Sequence, residues 1–429
     1  MRALRMIGLA AIGMTSTAEA QTLGDAVDAA VRTNPTLESA RLSAGASRQG
    51  RWQAWSAYLP QATLSGEIGA AEQTTRSENF LGQEVEETDQ LSPTSAAVDF
   101  QQEVYAGGRR RALISAARAR SEGADQAVRL AEQSVVFQVV QSYADVLLAQ
   151  RAVETRQAFV QGFTVREDST RRQLDVGVVT RTDLAQTLAR QASAESGLVR
   201  SLADYEIAKA VYLEIVGERP ESLAPLPPPP QAPDTLEYAV EYALQIHPAL
   251  MQSEQVERQE RAQYRVERSA LLPNLTVFGS VSTQEEIAIP DYETDDARIT
   301  ARLSIPLFEG GLAWSRMRES RYQVRRAESD TEQVRRQIIR SVTAAWNDVN
   351  ATRLALDQAR AQVDAAQLAL DGLEREHALG LRTITDVLDA NDELLDSRLN
   401  LHQAESDVVV AAYALYAAMG ALGEGVVPF

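Results

Sequence analysis

The chain has 429 residues, of which 45% are hydrophobic and 24% charged, so it is expected to be ordered and not a disordered tail. Its net charge of −18 argues against a nucleic-acid binder, since nothing would neutralise phosphates. The absence of cysteine excludes disulfides, thiol chemistry and a lipid-modified cysteine, so any membrane attachment is expected to come from the fold itself.

The first twenty residues predict a signal peptide. Arg2 and Arg5 form a basic start, Met6 to Met14 a short apolar run, and Ala18-Glu19-Ala20 an A-x-A cleavage site before Gln21. Cleavage removes two Arg and one Glu and takes the net charge from −18 to −19. No later segment approaches the roughly 18 continuous apolar residues that a spanning helix needs. A membrane-spanning form of this chain would therefore use β-strands.

Leu23 to Ala57 reads as helical and stops at Leu59-Pro60. A strand follows over about 61–70, where Ala62, Leu64, Gly66 and Ile68 alternate with Thr63, Ser65 and Glu67. Glu72 to Pro93 is acidic and polar and reads as an exposed loop. A second strand, about 95–105, carries Ala96, Val98 and Phe100 on alternate positions and leads to Gly107-Gly108. Arg110 to Asp175 then runs 66 residues without proline, about 100 Å as a helix. Val135, Val136, Val139, Val140, Tyr143 and Leu147 give it an apolar stripe at three- and four-residue steps. A tip turn at about 176–183, around Gly177, starts a returning helix through Leu184, Leu188, Leu198, Leu202 and Tyr205 to Gly217. Residues 218–234 include four consecutive prolines and read as a stiff extended linker.

From Thr235 the layout repeats. His247-Pro248 matches Asn34-Pro35 and Leu272-Pro273 matches Leu59-Pro60, each 213 residues on. Gly310-Gly311, Gly380 to Asp386 and Gly420 match Gly107-Gly108, Gly177 to Asp183 and Gly217, each 203 residues on. The second copy has lost ten residues between its Leu-Pro and Gly-Gly landmarks. Its strands, about 274–283 and 298–308, put Leu275, Val277, Gly279 and Val281, then Ile299, Ala301 and Leu303, in the phase of the first copy. Its long helix is Leu312 to Leu379 and its tip turn lies at about 379–386. Two repeats result, 21–217 and 235–429.

Strands of about ten residues, apolar on one face and polar on the other, carry the transmembrane-barrel signature. Four strands cannot close a barrel, for which about eight are needed, and open edges invite pairing between copies. Three copies would supply twelve. The expected fold is mainly α with a transmembrane β-barrel, each repeat contributing two strands and long antiparallel helices. The competing reading is a periplasmic coiled-coil adaptor or rod, which the duplicated strand pairs disfavour. No enzyme, cofactor or metal is expected: His247, His377 and His402 are scattered, and neither a phosphate loop nor a nucleophile elbow is present.

These features resemble the TolC family of outer-membrane efflux and secretion channels over essentially the whole mature chain. The resemblance rests on the duplicated layout, the Asn34-Pro35, His247-Pro248, Leu59-Pro60 and Leu272-Pro273 pairs, and Pro306-Leu307-Phe308-Glu309-Gly310-Gly311. The stretch Gly380-Leu381-Arg382-Thr383-Ile384-Thr385-Asp386-Val387-Leu388-Asp389-Ala390 is its most specific part and matches the family's periplasmic tip. The resemblance implies a homotrimer, an outer-membrane β-barrel and a periplasmic α-barrel. It also implies partners: a periplasmic adaptor, which would meet the tip turns at Gly177, Thr180, Gly380 and Thr383, and an inner-membrane ABC, RND or MFS-type transporter. It places Asp386 and Asp389 at the entrance constriction, and Asp183 and Arg382 in an entrance latch. A tyrosine normally shares that latch where this chain has His377, which would make closure pH-sensitive. Thr180-x-x-Asp183 and Thr383-x-x-Asp386 are also capping-box spacings, and capping alone would explain those two aspartates but not Asp389.

Overall fold

The computed structural model describes residues 20–78, 80–287, 289 and 291–423; apart from Ala20, the expected signal peptide lies outside them. The first half contains α1 (Leu23–Thr33), α2 (Pro35–Ser56), β1 (Gln61–Ile68), β2 (Ala71–Glu78), β3 (Glu84–Leu91), β4 (Thr94–Ala106), α3 (Arg109–Asp175) and α4 (Arg181–Val216). The second contains α5 (Leu236–Ile246), α6 (Pro248–Ser269), β5 (Asn274–Glu285), β6 (Glu293–Ser304), α7 (Leu312–Ala378) and α8 (Ile384–Ala418). These divide into two compact units, one holding the strands (Ala40–Val128 and Ala249–Arg335), the other holding the described residues up to Ser39, Arg129–Pro248 and those from Arg336 onward.

In the strand unit, β1, β4, β5 and β6 form one antiparallel sheet in the order β1-β4-β5-β6. The expected phase holds across all four strands. Leu64 faces Val98, Val98 faces Val281 and Val281 faces Ala297; the next row is Ala62, Phe100, Gly279 and Ile299. The intervening row, Thr63, Asp99, Ser280 and Arg298, is polar. Among the described residues nothing covers the apolar face: Leu64 is 77%, Ile68 83% and Ile299 85% exposed. On the polar face the Arg302 guanidinium lies 4.9 Å from the Phe278 ring centre. No helix among the described residues is long and apolar enough to cross a membrane.

Three elements depart from expectation. The stretch read as a loop over 72–93 is largely strand: β2 and β3 pair antiparallel as a separate two-stranded sheet. It is held by the Thr74–Thr88 hydroxyl pair at 3.1 Å and the Arg76–Glu86 ion pair at 2.9 Å. Both faces of β2 are exposed, so the alternation that betrays a half-buried strand is missing from it. Next, β6, expected over about 298–308, runs from Glu293 to Ser304: it starts earlier, paired with β5 as far as Glu285, and stops short of 308 because Pro306 has no N–H to continue the ladder. Finally, the helical stretches break at the X-Pro pairs. Asn34 and His247 are extended caps, and the following proline starts a new helix.

The helical unit is organised by those breaks. Thr22 caps α1 in a reciprocal box with Asp25, and α1 buries Leu23, Ala26, Val27, Ala29 and Ala30. Asn34 Nδ2 donates to Ile215 O (3.0 Å) and Thr33 Oγ1 to Val216 O (3.1 Å), so the first X-Pro break satisfies the last carbonyls of α4. The second break packs against Gly420, at the end of α8. The proline stretch is not bare: Pro227, Pro228 and Pro229 border a cavity of about 240 Å³ with Leu147, Leu148, His402 and Val409, and Gln231 O accepts from Tyr416 Oη at 2.7 Å.

Burial of His247 pushes its pKa below the usual 6.5. The folded state thus disfavours the imidazolium, and the unfolded chain binds more protons between the two pKa values. His247 leaves stability intact above about pH 6.5 and erodes it as pH falls towards the folded value. Melting in detergent from about pH 7.5 to about pH 5.5 should lower Tm more in the wild type than in His247→Asn, which copies Asn34 of the first repeat. Parallel curves would show that His247 does not titrate across the transition.

Candidate functional site

Each long helix ends in the same compact device. At the close of α3, Gly177 N–H donates to Leu174 O (3.0 Å) and Val178 N–H to Gln173 O (2.8 Å), with Gly177 left-handed at φ +78°. At the close of α7, Gly380 donates to His377 O and Leu381 to Glu376 O, both at 2.9 Å, with Gly380 at φ +75°. These are Schellman ends, which need a residue without a Cβ penalty at the left-handed position. Three residues later a threonine starts the returning helix. Thr180 and Asp183 form a full capping box, and so do Thr383 and Asp386. The turns are therefore shorter than the expected 176–183 and 379–386, since α4 already begins at Arg181 and α8 at Ile384. They expose Val176, Val178, Leu379 and Leu381, each more than 70% accessible.

Packing fixes which face of α8 is left open. Ile384 and Leu388 join Phe163 of α3 and Ala194 of α4, while Val387, Ala390 and Leu394 join Ala366 and Leu370 of α7. Asp386 and Asp389, three residues apart, share the remaining side. Asp386 Oδ2 accepts from Thr383 N (3.0 Å) and Oγ1 (2.8 Å). The backbone bond, then the hydroxyl bond, hold its carboxyl below the usual range.

Asp389 is engaged from another helix. Arg190 of α4 donates through Nη2 to Asp389 Oδ1 at 2.6 Å and through Nη1 to Asp392 Oδ2. Thr385 Oγ1 also meets Gln186 Oε1 at 3.0 Å, so α4 and α8 are tied twice near the turns. Burial raises the Asp392 pKa despite the Arg190 charge, which acts the other way. The two observations are compatible, because Arg190 divides its guanidinium between two carboxylates.

Arg382 Nε donates to Glu376 Oε2 at 2.9 Å, and that bond raises an already high arginine pKa. His377 Nδ1 lies 3.0 Å from Arg382 O, so His377 and Arg382 share one turn. Asp183 is occupied by Thr180 N and Oγ1 at 2.8 and 2.9 Å. Among the described residues of the single chain, Arg382 and Asp183 make no ion pair with each other. Glu376 and Arg190 escaped the sequence reading. Comparing the repeats could have flagged Arg190, since its counterpart 203 residues on is the oppositely charged Glu393.

Residues 26–217 and 239–421 match the family described as "Outer membrane efflux protein". The chain is 30% identical to the outer membrane efflux protein BepC of Brucella suis, over 93% of this chain and 85% of that one. It is 29% identical to the outer membrane protein TolC of Vibrio cholerae, covering 97% and 94%. Its fold matches the CmeC outer membrane channel of Campylobacter jejuni with a TM-score of 0.82 at 16% identity, over 93% of this chain and 85% of that one.

Proposed function

The chain belongs to the outer membrane efflux protein family, and from that premise we propose that it is the outer-membrane exit duct of a tripartite efflux or type I secretion system. It conducts substrates passively, the energy coming from an inner-membrane transporter. The observation that carries this reading is the sheet. Two adjacent rows of its apolar face, Leu64–Val98–Val281–Ala297 and Ala62–Phe100–Gly279–Ile299, run across all four strands, and β1 and β6 are open edges. In hydrocarbon every backbone N–H and C=O needs a partner, so such a sheet must close. Pairing β1 of one copy with β6 of the next closes it, and three copies give a twelve-stranded barrel, an even number within the bacterial range. A periplasmic rod has no use for an uncovered apolar sheet face.

The remaining parts follow from this homotrimer. The apolar tips at Val176, Val178, Leu379 and Leu381 supply the surface for a periplasmic adaptor. Asp386 and Asp389 from three chains form the entrance constriction, while Arg382, Asp183 and His377 act between neighbouring chains as its latch. Fractionation tests the assembly: the protein should enter the outer membrane as a trimer that dissociates on heating, and a soluble periplasmic monomer would sink the proposal. For the entrance, replacing Asp386 and Asp389 together with Ala should raise single-channel conductance or weaken block by multivalent cations several-fold in planar bilayers. An unchanged channel would remove both from the gate.

A further inference from the structure

The acidic face of α8 carries a built-in counter-charge. Arg190 reaches it from α4, with Nη2 2.6 Å from Asp389 Oδ1 and Nη1 bonded to Asp392. We propose that Arg190 is the residue that sets the charge selectivity of the entrance, a fixed cation, shared between Asp389 and Asp392, that partly offsets the negative charge of the carboxylate ring. This inference rests on the reading that Asp386 and Asp389 line that entrance.

Three observations support it. The contact is a fork: one planar guanidinium meets two carboxylates a turn apart on one helix, a geometry lysine cannot reproduce. The position is specific to this half of the chain. At the 203-residue offset, Gln186 stands opposite Asp389 and Arg190 opposite Glu393, so divergence placed the acids on α8 and the base on α4. The two entrance aspartates also differ in what holds them. Asp386 is hydrogen-bonded only by uncharged Thr383 groups, with the Arg382 charge a lesser influence, whereas Asp389 is met directly by a cation that it shares with Asp392.

Side-chain exposures of 42% for Arg190 and 60% for Asp389 make this a modest ion pair for stability. Selectivity, however, depends on the fixed charge lining a narrow passage and not on the strength of the pair. Arginine stays protonated at every physiological pH, so the correction is permanent. The expected consequence is an entrance more permissive to anionic solutes than six unopposed carboxylates would allow.

The test uses purified trimers in planar bilayers, measuring reversal potential in a potassium chloride gradient and block by hexaamminecobalt(III). Arg190→Gln should move the reversal potential towards that of a cation-selective pore and tighten the block about tenfold. Arg190→Gln combined with Asp389→Asn should return both values to near wild type. Arg190→Lys, which keeps the charge without the fork, should stay near wild type in selectivity. If Arg190→Gln raises conductance while reversal potential and block stay fixed, the residue is only a tie between helices and the proposal falls. If Asp389→Asn weakens block but Arg190→Gln changes nothing, Asp389 lines the entrance and Arg190 does not govern it. If neither Asp386→Asn nor Asp389→Asn alters block, the entrance reading itself fails and takes this inference with it.

Discussion

Gly420→Ala should lower stability by about 2–4 kcal/mol, far more than the same change in the tip turns. Gly420 is left-handed at φ +73°, and a Cβ there would lie 2.8 Å from His247 Cα and 3.0 Å from Pro248 Cδ. Neither atom belongs to a side chain that can swing away, so the backbone of the X-Pro break would have to move. The left-handed conformation alone costs roughly 1 kcal/mol for alanine, and overpacking adds about 1–3 kcal/mol. Gly380 has a similar φ of +75°, but a Cβ there would meet nothing within 4 Å, so Gly380→Ala should cost only about 1 kcal/mol. Gly217 falls between them, because its Cβ would meet Thr33 Oγ1 at 2.9 Å and disturb the bond from that hydroxyl to Val216 O. The check is the melting temperature in detergent, ranked over the three variants. Equal losses at Gly420 and Gly380 would mean that the end of α8 is not braced on the His247-Pro248 break.

The same contrast explains what could be read from the sequence. Glycine and proline landmarks were visible because their backbone demands are local, and the repeat carried them into register twice. The four sheet strands were visible because one face is apolar, which leaves a period of two in Ala62 to Ile68 and again in Leu275 to Val281. The β2–β3 hairpin left no such trace, since its threonines and acids are solvated on both sides. Its stability comes from cross-strand pairs, which only the register reveals.

The site was legible in part for a related reason. Capping at Thr180 and Thr383 is a three-residue relation, so spacing alone announces it. The Arg190–Asp389 pair spans 199 residues and joins two helices, so no local pattern could announce it. Glu376 was missed for the opposite reason. It lies six residues before Arg382, and a Schellman turn folds that short segment back on itself.

Ile299→Arg should abolish assembly into the outer membrane while Thr300→Arg, one residue on, should be tolerated. Ile299 sits near the middle of β6 in the apolar row with Gly279, Phe100 and Ala62, and is 85% exposed. An arginine on the lipid face near the bilayer midplane costs about 2–4 kcal/mol per chain, and the proposed trimer would bear that cost three times. Loss of assembled protein is expected even though the strand itself keeps its backbone pairing. Thr300 points to the opposite face, in the row with Phe278 and Gln101, beside Arg298 and Arg302 two residues away on either side. An added arginine there meets water and neighbouring polar groups, so folding should survive and the channel should shift towards anion selectivity. Yields of heat-dissociable assembled protein in outer-membrane fractions, followed by reversal potentials for the variant that assembles, decide the matter. If Ile299→Arg assembles as well as Thr300→Arg, the apolar rows do not face lipid, and the barrel must be turned inside out or abandoned.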